Sequence, residues 1–161
     1  MKELTEYRQK LLARISEAAA QFRAACESVK DPFSAIEHGG WNTHQIAVHT
    51  RDVDKHVYGM RARRSVNEET PEFRNFDADL WMSENYNSEE PLASVLDEFT
   101  ASVNELVDFL RKLPAGAWSR ESRHETLGGG FTTQTWVERG LAHIEEHLAT
   151  VKKQAGPIHS V

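Results

Sequence analysis

Apolar positions recur with helical periodicity in four long stretches, as in helices that each bury one face. In the first, Leu4, Leu11, Ile15, Phe22 and Val29 share a stripe, and Asp31-Pro32 ends it because a residue before proline avoids the helical region. The second begins near Asn42 and carries Ile46, Val53, Val57 and Met60 up to about Arg64. Asn42 with Gln45 three residues on predicts a capping box. The third starts near Ser88, with Pro91 in its first turn, and repeats Leu92, Leu96, Phe99, Val103, Leu106 and Leu110 before Pro114 closes it. The fourth opens at Thr132 or Thr133, presents Trp136, Val137, Leu141, Ile144, Leu148 and Val151, and ends at Gly156-Pro157.

Two intervening stretches are less regular. Phe73 to Tyr86 holds a short helical candidate around Asp77 to Glu84, and Trp118 to Phe131 reads as a loop or a hairpin turning at Gly128-Gly129-Gly130. No stretch makes a convincing strand. The expected fold is therefore all-α: one domain over residues 1–161, an antiparallel four-helix bundle whose long connection between helices 2 and 3 contains a short extra helix.

Composition changes this picture little. Apolar residues at 39% and charged residues at 27% suit a folded globular chain. No apolar run reaches membrane-spanning length, and Met1-Lys2-Glu3-Leu4 lacks the apolar core of a secretory signal, so a cytoplasmic location without membrane attachment is expected. The formal net charge of −6 disfavours nucleic acid as a partner, and Arg61, Arg63 and Arg64 read as a solvated helix end. Surplus apolar helix surface suggests a homodimer. Cys26 is the sole cysteine, which excludes an intrachain disulfide and a thiolate-rich zinc site and reads as a small buried hydrophobe.

The chemistry lies in the eight histidines. His143 and His147 are four apart and so project from one side of the fourth helix, a spacing that lets two imidazoles reach one metal ion. His49 sits on the flank of the second helix's apolar stripe, between Ile46 and Val53. Spacing alone leaves two readings open: a shared metal, or separate core and boundary histidines. Periodicity does not show which helices face one another.

The segment Trp41-Asn42-Thr43-His44-Gln45-Ile46-Ala47-Val48-His49-Thr50-Arg51-Asp52 resembles the second-helix motif of the DinB/YfiT-like superfamily, a tryptophan near the helix start and then a ligand histidine followed three residues later by an acid. His143-Ile144-Glu145-Glu146-His147 resembles that superfamily's fourth-helix His-x-x-x-His element. Helix number, helix order and the long middle connection agree as well. The resemblance implies a four-helix bundle holding one divalent metal through His49, His143 and His147. Zinc and nickel lead, since imidazole suits both. It further implies a small-molecule substrate and either hydrolysis or transfer dependent on a low-molecular-weight thiol; a non-catalytic binding or protective protein is the alternative. Many members carry His-His-x-Gly-Gln at the end of the fourth-helix motif. Here Glu146 precedes the last ligand and Leu148-Ala149-Thr150 follows it, so the ligands survive while a thiol-transferase subfamily is not indicated.

Around this core stand further candidates. Asp52, one turn after His49, is expected as a hydrogen-bond partner that orients a ligand imidazole, the alternative being a carboxylate that is solvated or paired with a nearby arginine. His56, seven residues after His49, falls on nearly the same face of an ideal helix and reads as a partly exposed histidine rather than a fourth ligand. Glu145 and Glu146 point away from the stripe, and neither they nor Glu138 is assigned as a general base. Gly140 lies on the core stripe one turn before His143, where it either opens a path to the metal or permits close helix packing. The three glycines before the fourth helix read as a turn rather than an anion cradle.

Overall fold

The computed structural model describes residues 1–155. The chain forms α1 (Lys2–Ser28), α2 (Thr43–Val53), a π-helical segment (Asp54–Gly59), α3 (Met60–Asn67), β1 (Glu72–Phe73), α4 (Ala78–Asn85), α5 (Leu92–Arg111), a 3-10 turn (Ala115–Ser119), β2 (Glu121–His124), β3 (Gly128–Thr132) and α6 (Thr133–Ala155). The expected stop of the last helix at Gly156-Pro157 lies outside the described residues. The capping box forms in both halves: the Gln45 amide donates to Asn42 Oδ1 at 2.8 Å, and the Asn42 amide donates to Gln45 Oε1 at 2.9 Å. The short helix starts where expected, with Asp77 Oδ1 accepting from the Leu80 amide. α5 begins later than expected: Pro91 is its N-cap, and Ser88 lies in the preceding turn.

α1 packs against α5 and α6, and α2 packs against the same two, so the four long helices form a bundle in which α1 and α2 sit diagonally. Their directions follow from which residues meet. Arg8 bonds Gln134 and Arg14 pairs with Glu145, so α1 and α6 run parallel. Asp54 meets Ser102 and Arg63 lies over Phe109, so the α2–α3 rod and α5 also run parallel. Tyr58 packs on Gly140 and Arg61 on Trp136, while His49 meets His143 and His147, so α2–α3 opposes α6. This mixed arrangement explains the long middle connection. A rod over Thr43–Asn67 is about 37 Å long at 1.5 Å per residue. The chain must climb back over that length through β1 and α4 before α5 can start at the same end.

The core is the set of stripes read from the sequence. Phe22, Val95, Leu96, Phe99, Val103, Leu110, Trp136, Ile144 and Val151 are at most 1% exposed, with Phe22 and Phe99 edge to face at 5.4 Å. Burying such side chains contributes about 1.5–3 kcal/mol each. Leu4 is the exception, 38% exposed in the first turn of α1.

The irregular stretch before α6 is a small three-stranded sheet in the order β1-β2-β3, β1 parallel and β3 antiparallel to β2. The hairpin turns at Glu125-Thr126-Leu127 rather than at the glycines, because buried His124 presents Nδ1 as acceptor to the Thr126 and Leu127 amides at 3.2 Å. Gly128 and Gly130, each at φ +86°, instead let β3 leave that turn in a conformation closed to side chains. Strand periodicity was invisible here because β1 has two residues and β3 opens on three glycines. Trp136 Nε1 donates to Ser122 Oγ, which donates to the Phe131 carbonyl, tying the sheet to α6.

Candidate metal centre

Three imidazoles converge near the end of the bundle where α2 begins. His143 Nε2 lies 3.0 Å from His49 Nε2 and 3.0 Å from His147 Nε2, and one ligand atom from each ring falls within 4.8 Å of the others. α6 supplies His143 and His147 from successive turns, and the antiparallel α2 supplies His49 opposite them. An imidazole nitrogen offers one N–H or one lone pair in the ring plane, so His143 Nε2 cannot satisfy two nitrogens at this distance. Three lone pairs directed at one cation remove the conflict. Tetrahedral zinc with Zn–N of 2.0–2.1 Å needs nitrogens about 3.3 Å apart, close to the spacing present. The donor set fits a divalent metal.

Burial keeps these rings neutral. Desolvation, reinforced by the neighbouring His147, lowers His49 to about 4, and desolvation with His147 and His49 lowers His143 to about 3. Burial also lowers His147, opposed by the charge of Glu146. His143 Nδ1 is buried without a hydrogen-bond partner among the described residues. Coordination through Nε2 places the ring proton on that atom, so this ligand lacks the acceptor that usually fixes a metal-bound imidazole. Trp41 and Tyr58 flank the cluster instead: the Trp41 ring is 4.8 Å from His49 and the Tyr58 ring 5.5 Å from His143.

Asp52 is buried near His49, and its charge favours the protonated imidazole, but its oxygens are engaged elsewhere. Oδ1 accepts from Arg51 Nε at 2.9 Å and Oδ2 from Trp81 Nε1 at 3.0 Å. Arg51 also donates to Glu90 Oε2 at 2.6 Å. This network clamps α4 and the approach to α5 onto α2, beside the histidines. Pairing of Asp52 with a neighbouring arginine, the alternative reading, is what forms, whereas Trp81 and Glu90 escaped the sequence reading because they lie 29 residues from Asp52 and 39 from Arg51.

Tyr58 was missed for a more specific reason. It follows His49 by nine residues, which puts it on the opposite face of an ideal helix. The π segment inserts an extra residue into the turn and rotates everything after it by about 100°. That rotation brings Tyr58 toward His143 and leaves His56 exposed against Trp81, with ring centroids 5.0 Å apart. Gly59 was the available signal: a Cβ there would sit 2.6 Å from the Asp54 carbonyl oxygen. Gly140 performs the packing role, since a Cβ on it would lie 3.2 Å from Tyr58 Cβ.

The other candidates have structural roles. His44 is fully buried, with Nδ1 against the Tyr86 hydroxyl and Nε2 against the Glu90 carbonyl, both at 2.7 Å. Glu145 pairs with Arg14, and Glu138 accepts from the Tyr7 hydroxyl. Arg61, Arg63 and Arg64 lie over Trp136, Phe109 and Phe73 respectively, so they hold aromatic rings rather than form a free basic patch. Burial pushes the Cys26 thiol up to about 12, which leaves it an inert core group. No described helix is long and apolar enough to cross a membrane.

The fold is thus a helical bundle of mixed direction, and three inward histidines on two opposed helices form its candidate metal centre. The DinB superfamily model matches residues 2–151, and the chain belongs to that superfamily. Among solved structures it is similar to YfiT from Bacillus subtilis, described as a probable metal-dependent hydrolase with an unusual four-helix bundle topology. The two share 22% identity at a TM-score of 0.84, over 92% of this chain and 86% of that one. Comparison with curated proteins gave no match.

Proposed function

We propose that this protein is a metal-dependent hydrolase acting on a small molecule, with zinc or nickel held by His49, His143 and His147. The observation that carries this reading is the convergence of three neutral, largely buried imidazole nitrogens on one point. Three ligands leave a coordination position open, and such a metal polarises a substrate oxygen and makes water acidic enough to act as a nucleophile near neutral pH. The protein's own residues supply position and environment. α2 and α6 hold the three rings close together, and the rings of Trp41 and Tyr58 pack beside His49 and His143. Asp52 contributes negative charge beside His49 through a carboxylate that Arg51 and Trp81 hold in place. The description of YfiT as a probable metal-dependent hydrolase supports the same reading.

The test begins with metal content measured on untagged protein after supplementation with zinc or nickel. One ion per chain is expected, falling to a small fraction in His143→Ala. Failure to load any divalent ion at neutral pH sinks the proposal. Loaded protein is then screened against esters, amides and phosphoesters, with products identified by mass. Turnover that requires an added thiol, with sulfur retained in the product, replaces hydrolysis by thiol-dependent transfer at the same centre.

A further inference from the structure

Beside His147 lies a cavity of about 160 Å³, between α6 and the segment that joins α1 to α2. Its volume corresponds to roughly five water molecules at about 30 Å³ each, enough for a small ligand group and too little for a drug-sized molecule. Ile36, Trp41 and Ile46 form its apolar wall, the exposed side chains of Glu37 and Glu146 bring carboxylates to its solvent-open rim, and His147 connects it to the three-histidine cluster. No lysine or arginine is part of the lining. Lys153 reaches Glu37 at 3.4 Å, with both side chains about two-thirds exposed, so that pair is close to neutral and Glu146 carries the net charge of the rim. The Glu146 side chain has no cationic partner among the described residues. The cavity thus joins an aromatic and aliphatic surface to an unneutralised carboxylate, next to a candidate metal ligand.

We propose that this cavity receives a small cationic group with an apolar body, the part of the substrate that stays bound while its reactive group lies at the histidines. Trp41 offers an aromatic face, which attracts cations as well as apolar groups, and Glu146 and Glu37 add attraction that an anion would meet as repulsion. The location of the reacting group rests on the metal-centre reading above; the preference of the cavity for a cation does not.

The probe is benzyltrimethylammonium, whose quaternary nitrogen cannot coordinate a metal, compared with neutral benzyl alcohol and anionic benzenesulfonate. Each is titrated into the full chain, metal-loaded and metal-stripped, and binding is followed by the NMR signals of the Trp41 indole and the Ile36 and Ile46 methyls. Metal content is measured on the same samples. The cation is expected to bind about tenfold more tightly than either comparison at low salt, a difference of about 1.4 kcal/mol, with the advantage shrinking as salt screens the carboxylates. In Glu37→Gln/Glu146→Gln the cation should fall to within about threefold of benzyl alcohol while metal content is unchanged. Glu146→Gln alone, which leaves the Lys153 contact intact, should lose most of the preference. The proposal is overturned by equal or tighter binding of benzenesulfonate, by a cation affinity indifferent to both variants, or by no shift with any probe. Cation preference without metal would sink the hydrolase reading alone, and stoichiometric metal without cation preference would sink the cavity assignment alone.

Discussion

Asp54 gives the sharpest test of the physical reasoning because its cost is large and its pH window is defined. It opens the π segment, is 4% exposed, and has one hydrogen-bond donor among the described residues, Ser102 Oγ at 3.4 Å from Oδ2. Burial raises its carboxyl from 3.8 to about 7, only partly opposed by Ser102 and by the charge of Arg63. The folded state therefore holds this proton more tightly than the unfolded chain does. Below 3.8 both states are protonated and the group is neutral to stability. As pH rises toward 7 the unfolded chain ionises freely while the folded protein resists, so stability falls across that window and then levels off. At about 1.4 kcal/mol per unit, the shift amounts to roughly 4 kcal/mol at most, a large share of the roughly 5–15 kcal/mol that holds an ordinary domain together. Asp54→Asn removes the charge at constant shape. Denaturant unfolding of metal-stripped protein at pH 8, 6 and 4.5 should show the variant more stable by about 2–4 kcal/mol at pH 8, with the gap closing toward pH 4.5. The buried histidines titrate in part of the same range with opposite sign, but they are common to both proteins and cancel in the difference. A gap independent of pH, or a variant less stable at pH 8, would refute the account and mean that Asp54 is compensated as a charge.

Other expectations follow from single contacts. Because His49 and His143 are lowered to about 4 and about 3, protons compete for them only well below the model histidine value of 6.5. Metal affinity should therefore stay nearly level from pH 7 to about pH 5 in a chelator competition, and a steep loss centred near 6.5 would show that the rings are solvated. Gly59→Ala forces a methyl group against the Asp54 carbonyl oxygen at 2.6 Å, so thermal melts should show a loss of more than about 1 kcal/mol despite alanine's better helix propensity, with weaker metal binding as Tyr58 is displaced. Phe99→Ala, fully buried against Phe22, should cost about 3–5 kcal/mol in denaturant unfolding and leave metal stoichiometry intact in the folded fraction. Asn42→Ala removes the α2 cap and should cost about 1 kcal/mol.

Much of this architecture was legible because helix formation and burial leave local marks. The stripes of α5 and α6 and the Asn42–Gln45 box depend on residues a few positions apart, and each appears where the sequence places it. Helix direction and neighbourhood leave no such mark. A parallel α1/α6 pair and an antiparallel one carry the same apolar stripe, and only contacts such as Arg14 with Glu145 decide between them. The hairpin forms, but its turn lies elsewhere for a related reason: it is set by His124 accepting two amides, a choice that the glycine run obscured.

The candidate site shows the same division, and there it bears on mechanism. Spacing within one helix put His143 and His147 on one side of α6 without deciding between a shared metal and separate core histidines, and the resemblance around Trp41 to Asp52 supplied His49 as their candidate partner. The environment of those ligands could not be read from ideal periodicity, because the helix that carries His49 changes its period five residues later. With an uninterrupted α-helix, His56 would lie near the centre and Tyr58 opposite it. The π segment exchanges them, replacing an imidazole beside the candidate ligands by a phenol ring that packs on Gly140 and His143. Buried Asp54 and the close approach of Gly59 to its carbonyl both belong to this same turn. A carboxyl held against its preferred ionisation and a glycine that admits no Cβ are costs for the fold, and they are concentrated where the turn sets the surroundings of His143. That placement argues that the π segment is maintained for the centre beside it. Perturbing the turn, by relieving its buried charge in Asp54→Asn or by forcing a Cβ into it in Gly59→Ala, should then be read in metal affinity as well as in stability, and a stabilised Asp54→Asn protein with unaltered metal binding would separate the turn's geometry from its buried charge.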